Sequence, residues 1–157
     1  MATKPKRAGR GRKPRYPFPQ SAARSAVMSA NRSVDTGPEA AIRSLLHRSG
    51  LRFRKNLRVK AYGIHVRPDI VFTRLRVAVF IDGCFWHRCP EHGSSPRHNA
   101  WYWLPKLKKN VARDRRAVRH LAKAGWVSRR YWEHEPPARV ATAVSALVTR
   151  RRHSREA

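Results

Sequence analysis

RPDIVFTRLRVAVFIDGCFWHRCPEH, residues 67–92, holds two apolar, β-branched runs on either side of the short polar turn Thr73-Arg74. That pattern predicts a hairpin of strands over 63–72 and 76–83. Pro68 opens the first apolar run and Asp69 immediately precedes it, while Asp82 ends the second, so an acid stands at an end of each strand. Working outward, residues 51–59 (LRFRKNLRV) read as a further strand. Before it, Thr36 is placed to cap, Pro38 suits a first turn, and Ile42, Leu45 and Leu46 recur at helical spacing, predicting a helix over 37–49. After the hairpin, residues 84–100 mix Cys, His, Pro, Gly and Ser without periodicity. A loop of that length is expected to be functional or tied down. Leu104, Leu107, Val111, Val118 and Leu121 then give a helix over 102–124 ended by Gly125. A strand over 126–132, a Pro-Pro break and a helix over 138–150 complete an α/β chain. Val127-Ser128-Arg129-Arg130-Tyr131 is unusually polar for a strand, which predicts a weak strand or an edge.

Composition narrows the class. The 157 residues amount to one ordinary domain, with 41% hydrophobic residues including five Trp, four Tyr and five Phe, enough for one core. Against 36 Lys and Arg stand nine Asp and Glu, a net charge of +27. Such single-sign charge repels itself in a compact state unless a polyanion neutralises it, which points to nucleic acid. No apolar run approaches a membrane span and the N-terminus lacks a signal-peptide core. Two cysteines do not make a disulfide framework. A soluble cytoplasmic, nucleoid-associated protein is expected. Residues 1–27 carry eight Lys/Arg and no acid among several Pro and Gly, predicting a disordered basic arm. A single domain over 28–150 and a basic tail over 151–157 follow.

With so few acids, few are spare. If the strands pair, Asp69 and Asp82 share one end of a sheet, and a carboxylate pair within a basic DNA-binding surface suits Mg²⁺-assisted phosphodiester cleavage. The alternative is that both are solvated turn residues. The Pro-Asp, strand, second-acid layout resembles the restriction-endonuclease-like nuclease core, which implies a mixed central sheet flanked by helices. That core carries a lysine two residues after the second acid, where this chain has Cys84. His87 is the nearest group for the task of activating water, since a neutral imidazole can act as base near pH 7.

Cys84, Cys89 and His92 place three soft or borderline ligands within nine residues, and His134 follows the late strand. The set suits a structural tetrahedral Zn²⁺, although the spacing is not that of a standard finger. A metal would also offset the ordering entropy of the loop. His87 lies inside the run and could serve as ligand or as base.

The run from Phe80 to His92, with Met28-Ser29-x-Asn31-Arg32-x-x-Asp35-Thr36-x-Pro38-Glu39 upstream, resembles the very short patch repair DNA mismatch endonuclease family. Arg67-Pro68-Asp69, Tyr102-Trp103-x-x-Lys106-x-x-x-Asn110-x-x-Arg113-Asp114, Gly125-Trp126 and Trp132-Glu133-His134 extend the likeness over about residues 28–137. The resemblance implies a Mg²⁺-dependent, strand-specific nick beside the thymine of a T:G mismatch, the lesion left by deamination of 5-methylcytosine. It implies Asp69 as metal carboxylate, Ile81 as a backbone carbonyl ligand, His87 as base and Glu39 as an outer acidic partner. Asp82 stands where some relatives have His. Cys84, Cys89, His92 and His134 would hold zinc, and Phe85, Trp86 and Trp103 would enter the base stack. Aromatics are more often core than wedge, yet adjacent Phe85 and Trp86 cannot both face one core. Lys106, Lys109 and Arg113 belong to a basic helix face read as phosphate-tracking. A monomer acting on mismatched duplex DNA is expected, with mismatch-repair proteins as further partners. Two rival readings are a zinc-stabilised DNA-binding module without catalysis and a related nuclease acting on undamaged DNA.

Overall fold

The computed structural model describes residues 35–156 together with Ser21, Ala22, Ala23 and Ala26, so the basic arm expected over 1–27 lies almost wholly outside the described residues. Helix α1 (Gly37–Arg48) starts as expected. Thr36 stands at the N-cap but makes no side-chain cap bond; instead Glu39, three residues on, accepts the Thr36 hydroxyl at 2.9 Å and the Asp35 N–H at 3.0 Å, tying the lead-in residues to the first turn. Ile42 and Leu46 go to the core.

Five strands occupy the stretch where three were expected: β1 (Arg54–Lys55), β2 (Val59–Ala61), β3 (Ile64–Val66), β4 (Ile70–Phe72) and β5 (Val77–Asp82). The strand expected over 51–59 breaks at Asn56, which takes φ 51° and donates its N–H to the Asp69 carbonyl. The strand expected over 63–72 breaks at Pro68, which has no N–H for a ladder. The freed β2 and β3 pair as a separate hairpin about Tyr62 and Gly63, whose φ values of 43° and 84° match the twist of a two-residue turn. The predicted hairpin of β4 and β5 forms with Ile70 opposite Val79, and its turn spans residues 73–76. Helix α2 (Ala100–Lys123), strand β6 (Val127–Trp132) and helix α3 (Pro137–Glu156) follow.

The main sheet has the order β1-β4-β5-β6, with β5 and β6 parallel and the other pairs antiparallel. It is therefore mixed, and the polar strand β6 lies at its edge, as its composition predicted. Val77, Val79, Ile81, Ile70 and Phe72 face α1 and α3, while Val71, Ala78 and Phe80 face α2 and the β2–β3 hairpin. Strand β5 is buried along its whole length. Helix α3 runs six residues past its expected end, so residues 151–156 continue the helix rather than forming a separate tail. Arg151 donates to the Leu75 and Gly125 carbonyls, each at 3.2 Å, and Arg155 to the Arg74 carbonyl, clamping two turns with the basic residues read as a tail. No helix among the described residues is long and apolar enough to cross a membrane.

Candidate functional site

Asp69 leads into β4 and its N–H bonds the Val79 carbonyl at 3.0 Å, pinning it beside the end of β5. Its Oδ2 accepts the Ile81 N–H at 2.7 Å. In an extended strand the N–H and carbonyl of one residue leave the same side, so the Ile81 carbonyl is directed to the Asp69 edge, whereas the Asp82 carbonyl accepts the Glu133 N–H across β6. Burial raises the Asp69 carboxyl, the Ile81 N–H partly opposes this, and the neighbouring charges of Glu39 and Asp82 raise it further, to about 6. Carboxylates crowded at one point form a hard-oxygen donor set that a divalent cation would relieve. Glu39 is buried and ion-paired with Arg43 at 3.1 Å.

His87 sits beyond the opposite end of β5 from the turn, in the loop after it. Its Nδ1 lies 2.5 Å from Asp114 Oδ2 on α2 and 3.7 Å from Asp82 Oδ1. Burial works against the Asp114 charge, but the His87 hydrogen bond and the charges of Arg130, His87 and Arg113 outweigh it and hold the carboxyl below its usual range. Asp82 is paired within the protein, not left open beside Asp69 as the carboxylate-pair reading supposed. Both its oxygens are taken by Arg130, Nε at 2.6 Å and Nη2 at 2.5 Å. Arg130 comes from β6 in register with Phe80, and its guanidinium lies 4.6 Å from the centre of that ring. An open cleft of about 1230 Å³ joins these groups, with Glu39, Asp69, Ile81, Trp86, His87 and Arg113 among its walls.

The ligand atoms of Cys84, Cys89, His92 and His134 all lie within 4.8 Å of one another. His134 Nδ1 is 3.1 Å from Cys84 Sγ and 3.8 Å from Cys89 Sγ. Bonds of about 2.0–2.3 Å in a tetrahedron put ligand atoms roughly 3.3–3.8 Å apart, so the cluster fits a small, borderline-soft cation. Burial and the adjacent Cys89 thiol, with the Glu133 charge, push the Cys84 thiol up to about 11, which leaves it a thiol unless a cation takes the proton's place. The loop supports this by local geometry. Arg88 at φ 56° reverses the chain between His87, which faces Asp114, and Cys89, which faces His134. Gly93 donates its N–H to the Cys89 carbonyl at 2.8 Å, and a Cβ there would fall 2.2 Å from that oxygen. Glu91 reaches His134 Nε2 at 3.5 Å, leaving Nδ1 toward the sulfurs.

Phe85, Trp86 and Trp103 meet edge to face with centroids 5.2–5.8 Å apart, all only partly buried. They belong to neither aliphatic core cluster. Lys106 Nζ lies 5.1–5.7 Å from the centres of Trp86, Tyr102 and Trp103, and Lys109 and Arg113 are exposed on α2.

Sequence reasoning left four residues of this site without a role. Asn110 holds the Trp86 carbonyl at 3.3 Å, Glu133 accepts the Cys84 N–H at 2.7 Å, and Asp114 and Arg130 anchor His87 and Asp82. Asn110 and Asp114 stand four residues apart, which places both on one helix face and was a readable signal. Nothing in the spacing announced Arg130 beyond the unexpected polarity of its strand.

The chain is similar to several known proteins. The family described as DNA mismatch endonuclease Vsr matches residues 18–91. The type II nicking enzyme V.NaeI of Lentzea aerocolonigenes is 52% identical over 139 residues, covering 88% of this chain and 82% of the relative. The type II nicking enzyme V.XorIIP of Xanthomonas oryzae pv. oryzae is 41% identical, covering 69% of this chain and 78% of the relative. The DNA mismatch endonuclease Vsr of Escherichia coli K12 is 38% identical, covering 71% and 70%. With identities of this size over most of both chains, the protein belongs to the Vsr DNA mismatch endonuclease family.

Proposed function

We propose that this protein is a Mg²⁺-dependent endonuclease that nicks one strand of duplex DNA beside a T:G mismatch, on a restriction-endonuclease-like core braced by a structural Zn²⁺. The observation that carries the reading is the meeting, in one cleft, of the half-buried Asp69 carboxylate and the His87–Asp114 pair beside the three-ring cluster. The names of the relatives, nicking enzymes and a mismatch endonuclease, support the same reaction.

Asp69 and the Ile81 carbonyl would hold Mg²⁺, with Glu39 acting through water. That ion, when bound, neutralises the scissile phosphate and lowers the pKa of a water. The chain's own residues supply the remainder. His87, with Nδ1 anchored on Asp114, presents Nε2 to take the proton of the attacking water. Asp82 lies beside that pair with both its oxygens held by Arg130. Phe85, Trp86 and Trp103 wedge into the stack, where unstacking costs least at a mismatch. Lys106, Lys109 and Arg113 take phosphates and fix register. Cys84, Cys89, His92 and His134 hold the zinc that shapes the loop carrying His87. The deciding experiment is a nicking assay on matched, T:G and other mismatched duplexes with and without Mg²⁺. Metal-dependent nicking of one strand in the T:G duplex is expected. Tight binding without cleavage would favour the non-catalytic module, and equal cleavage of matched duplex would favour a nuclease of undamaged DNA.

A further inference from the structure

Edge strands pack most simply with alternating apolar residues, yet β6 carries Arg130 on its α2 face, next to the buried end of β5. Its Nη1 is buried with no hydrogen-bond partner among the described residues. An unpaired buried guanidinium nitrogen is a costly way to secure a sheet edge, so its use lies in what the other two nitrogens do. Nε and Nη2 take both oxygens of Asp82, and Nη2 also lies 3.3 Å from Asp114 Oδ1. Asp114 keeps only Oδ2 for His87. We propose that Arg130 is a positioning residue of the nicking reaction: it withdraws Asp82 from His87 and ties down Asp114, so that the imidazole is held by one carboxylate with its other nitrogen turned to the cleft. The inference rests on the reading of His87 as the base.

The geometry shows why a third group is needed. Two carboxylates on different elements, Asp82 on β5 and Asp114 on α2, stand within 3.7 Å of the same Nδ1. An imidazole has a single Nδ1–H, which cannot serve two acceptors in two directions with good geometry. Left unclamped, the acids compete for the ring and the ring turns between them. A planar guanidinium fork can occupy both oxygens of one carboxylate and still touch the other, and the Phe80 ring beneath fixes its plane. A lysine offers one point of charge and cannot do both. Misplacement of a reacting group by about 1 Å can cost about a hundredfold in rate.

The experiment measures single-turnover nicking of a T:G duplex at saturating enzyme, with DNA affinity, zinc content and the denaturation midpoint recorded for each variant. Arg130→Met should slow the chemical step by about a hundredfold with DNA affinity unchanged, and Arg130→Lys should not restore it. Asp82→Asn combined with Arg130→Met should regain much of the rate, because the competing carboxylate is gone. A role confined to folding would move the midpoint and leave the rate of the folded protein alone. A native rate in Arg130→Met, or a double variant no faster than the single one, overturns the inference. Inactive His87→Ala in the same series leaves the base reading standing in that event, whereas active His87→Ala overturns both. Should Arg130→Met not fold, Arg130→Lys decides: a slowed step at a native midpoint supports the inference and a native rate overturns it.

Discussion

Val79 and Phe80 are neighbours on β5, yet they open onto two different chemistries. On the Val79 side the sheet meets α1 and α3 through the aliphatic side chains of Ile42, Leu46, Val140, Val144 and Val148. On the Phe80 side the same strand ends in Asp82, and the apolar patch against Ala117 and Leu121 gives way to Arg130, Asp114 and His87. Alternation along a strand thus lets one element be core on one face and scaffold for a charged cluster on the other. The aliphatic face supplies stability, and its rigidity lets the charged face hold its geometry without help from packing. Substitutions on the two faces should therefore fail in different ways.

The largest contrast is between His87→Ala or Asp69→Ala and Leu46→Ala. The first two should lower nicking by at least about a hundred- to ten-thousandfold, the range that base catalysis contributes, with DNA binding and the unfolding midpoint close to native. Leu46→Ala, at a fully buried position, should cost about 2–5 kcal/mol of stability while the surviving folded enzyme nicks normally. Denaturant titration beside a single-turnover assay checks both. If Asp69→Ala unfolds the protein, or retains activity, the division between faces does not hold there.

The Cys/His cluster tests the comparison from outside the sheet, since its four residues belong to neither core cluster. The purified protein should carry close to one zinc per chain by elemental analysis. Cys84→Ser or Cys89→Ser should remove it and destabilise the fold by several kcal/mol, since metal binding free energy is folding free energy here. Full activity in a zinc-free preparation would dissolve the assignment.

The aliphatic face could be read almost entirely from periodicity. β-Branched runs and helical spacing located β5, α1 and α2 to within a few residues, because burial of apolar side chains is what those patterns encode. The splitting of the first two strands was less legible. It depends on Asn56 adopting a left-handed conformation and on where Pro68 interrupts a ladder, and neither shows in an apolar pattern. In the site, Asp69, His87 and the four metal-type ligands were visible because their residue types are scarce or chemically distinctive. The Asp82–Arg130 and His87–Asp114 pairs were not, since each joins residues 27 to 48 positions apart. A long-range ion pair leaves no local signature, and so Asp82 reads from sequence as a partner of Asp69.

A more moderate effect belongs to the aromatic cluster. Trp86→Ala should reduce nicking of T:G duplex by about tenfold or more while barely changing affinity for matched duplex, since each stacking contact contributes about 1–3 kcal/mol. The preference for the mismatch should narrow accordingly. Loss of zinc or of cooperative melting in this variant would mean that the ring is part of the packing of the loop.

The last expected effect is a pH dependence, and its sign separates Asp69 from Asp114. Asp69 is raised to about 6 by burial and its acidic neighbours, so the folded protein holds this proton more tightly than the unfolded chain does. Between about pH 4 and 6 the unfolded state has already released it, and the Asp69 contribution to stability falls as pH rises through that window, by up to about 2–3 kcal/mol. Asp114 runs the other way: its carboxyl is held low, so its contribution is present at neutral pH and is lost as pH falls. The difference in denaturation midpoint between the wild type and Asp69→Asn isolates the first term, because every other titrating group is common to both. Mg²⁺ should stabilise the wild type more at pH 7.5 than at pH 5, since the ion can take the place of a proton only where the carboxyl gives it up, and Asp69→Asn should lose that difference. Equal stabilisation by Mg²⁺ at the two pH values would detach the metal from Asp69 and leave the raised carboxyl as a consequence of burial alone.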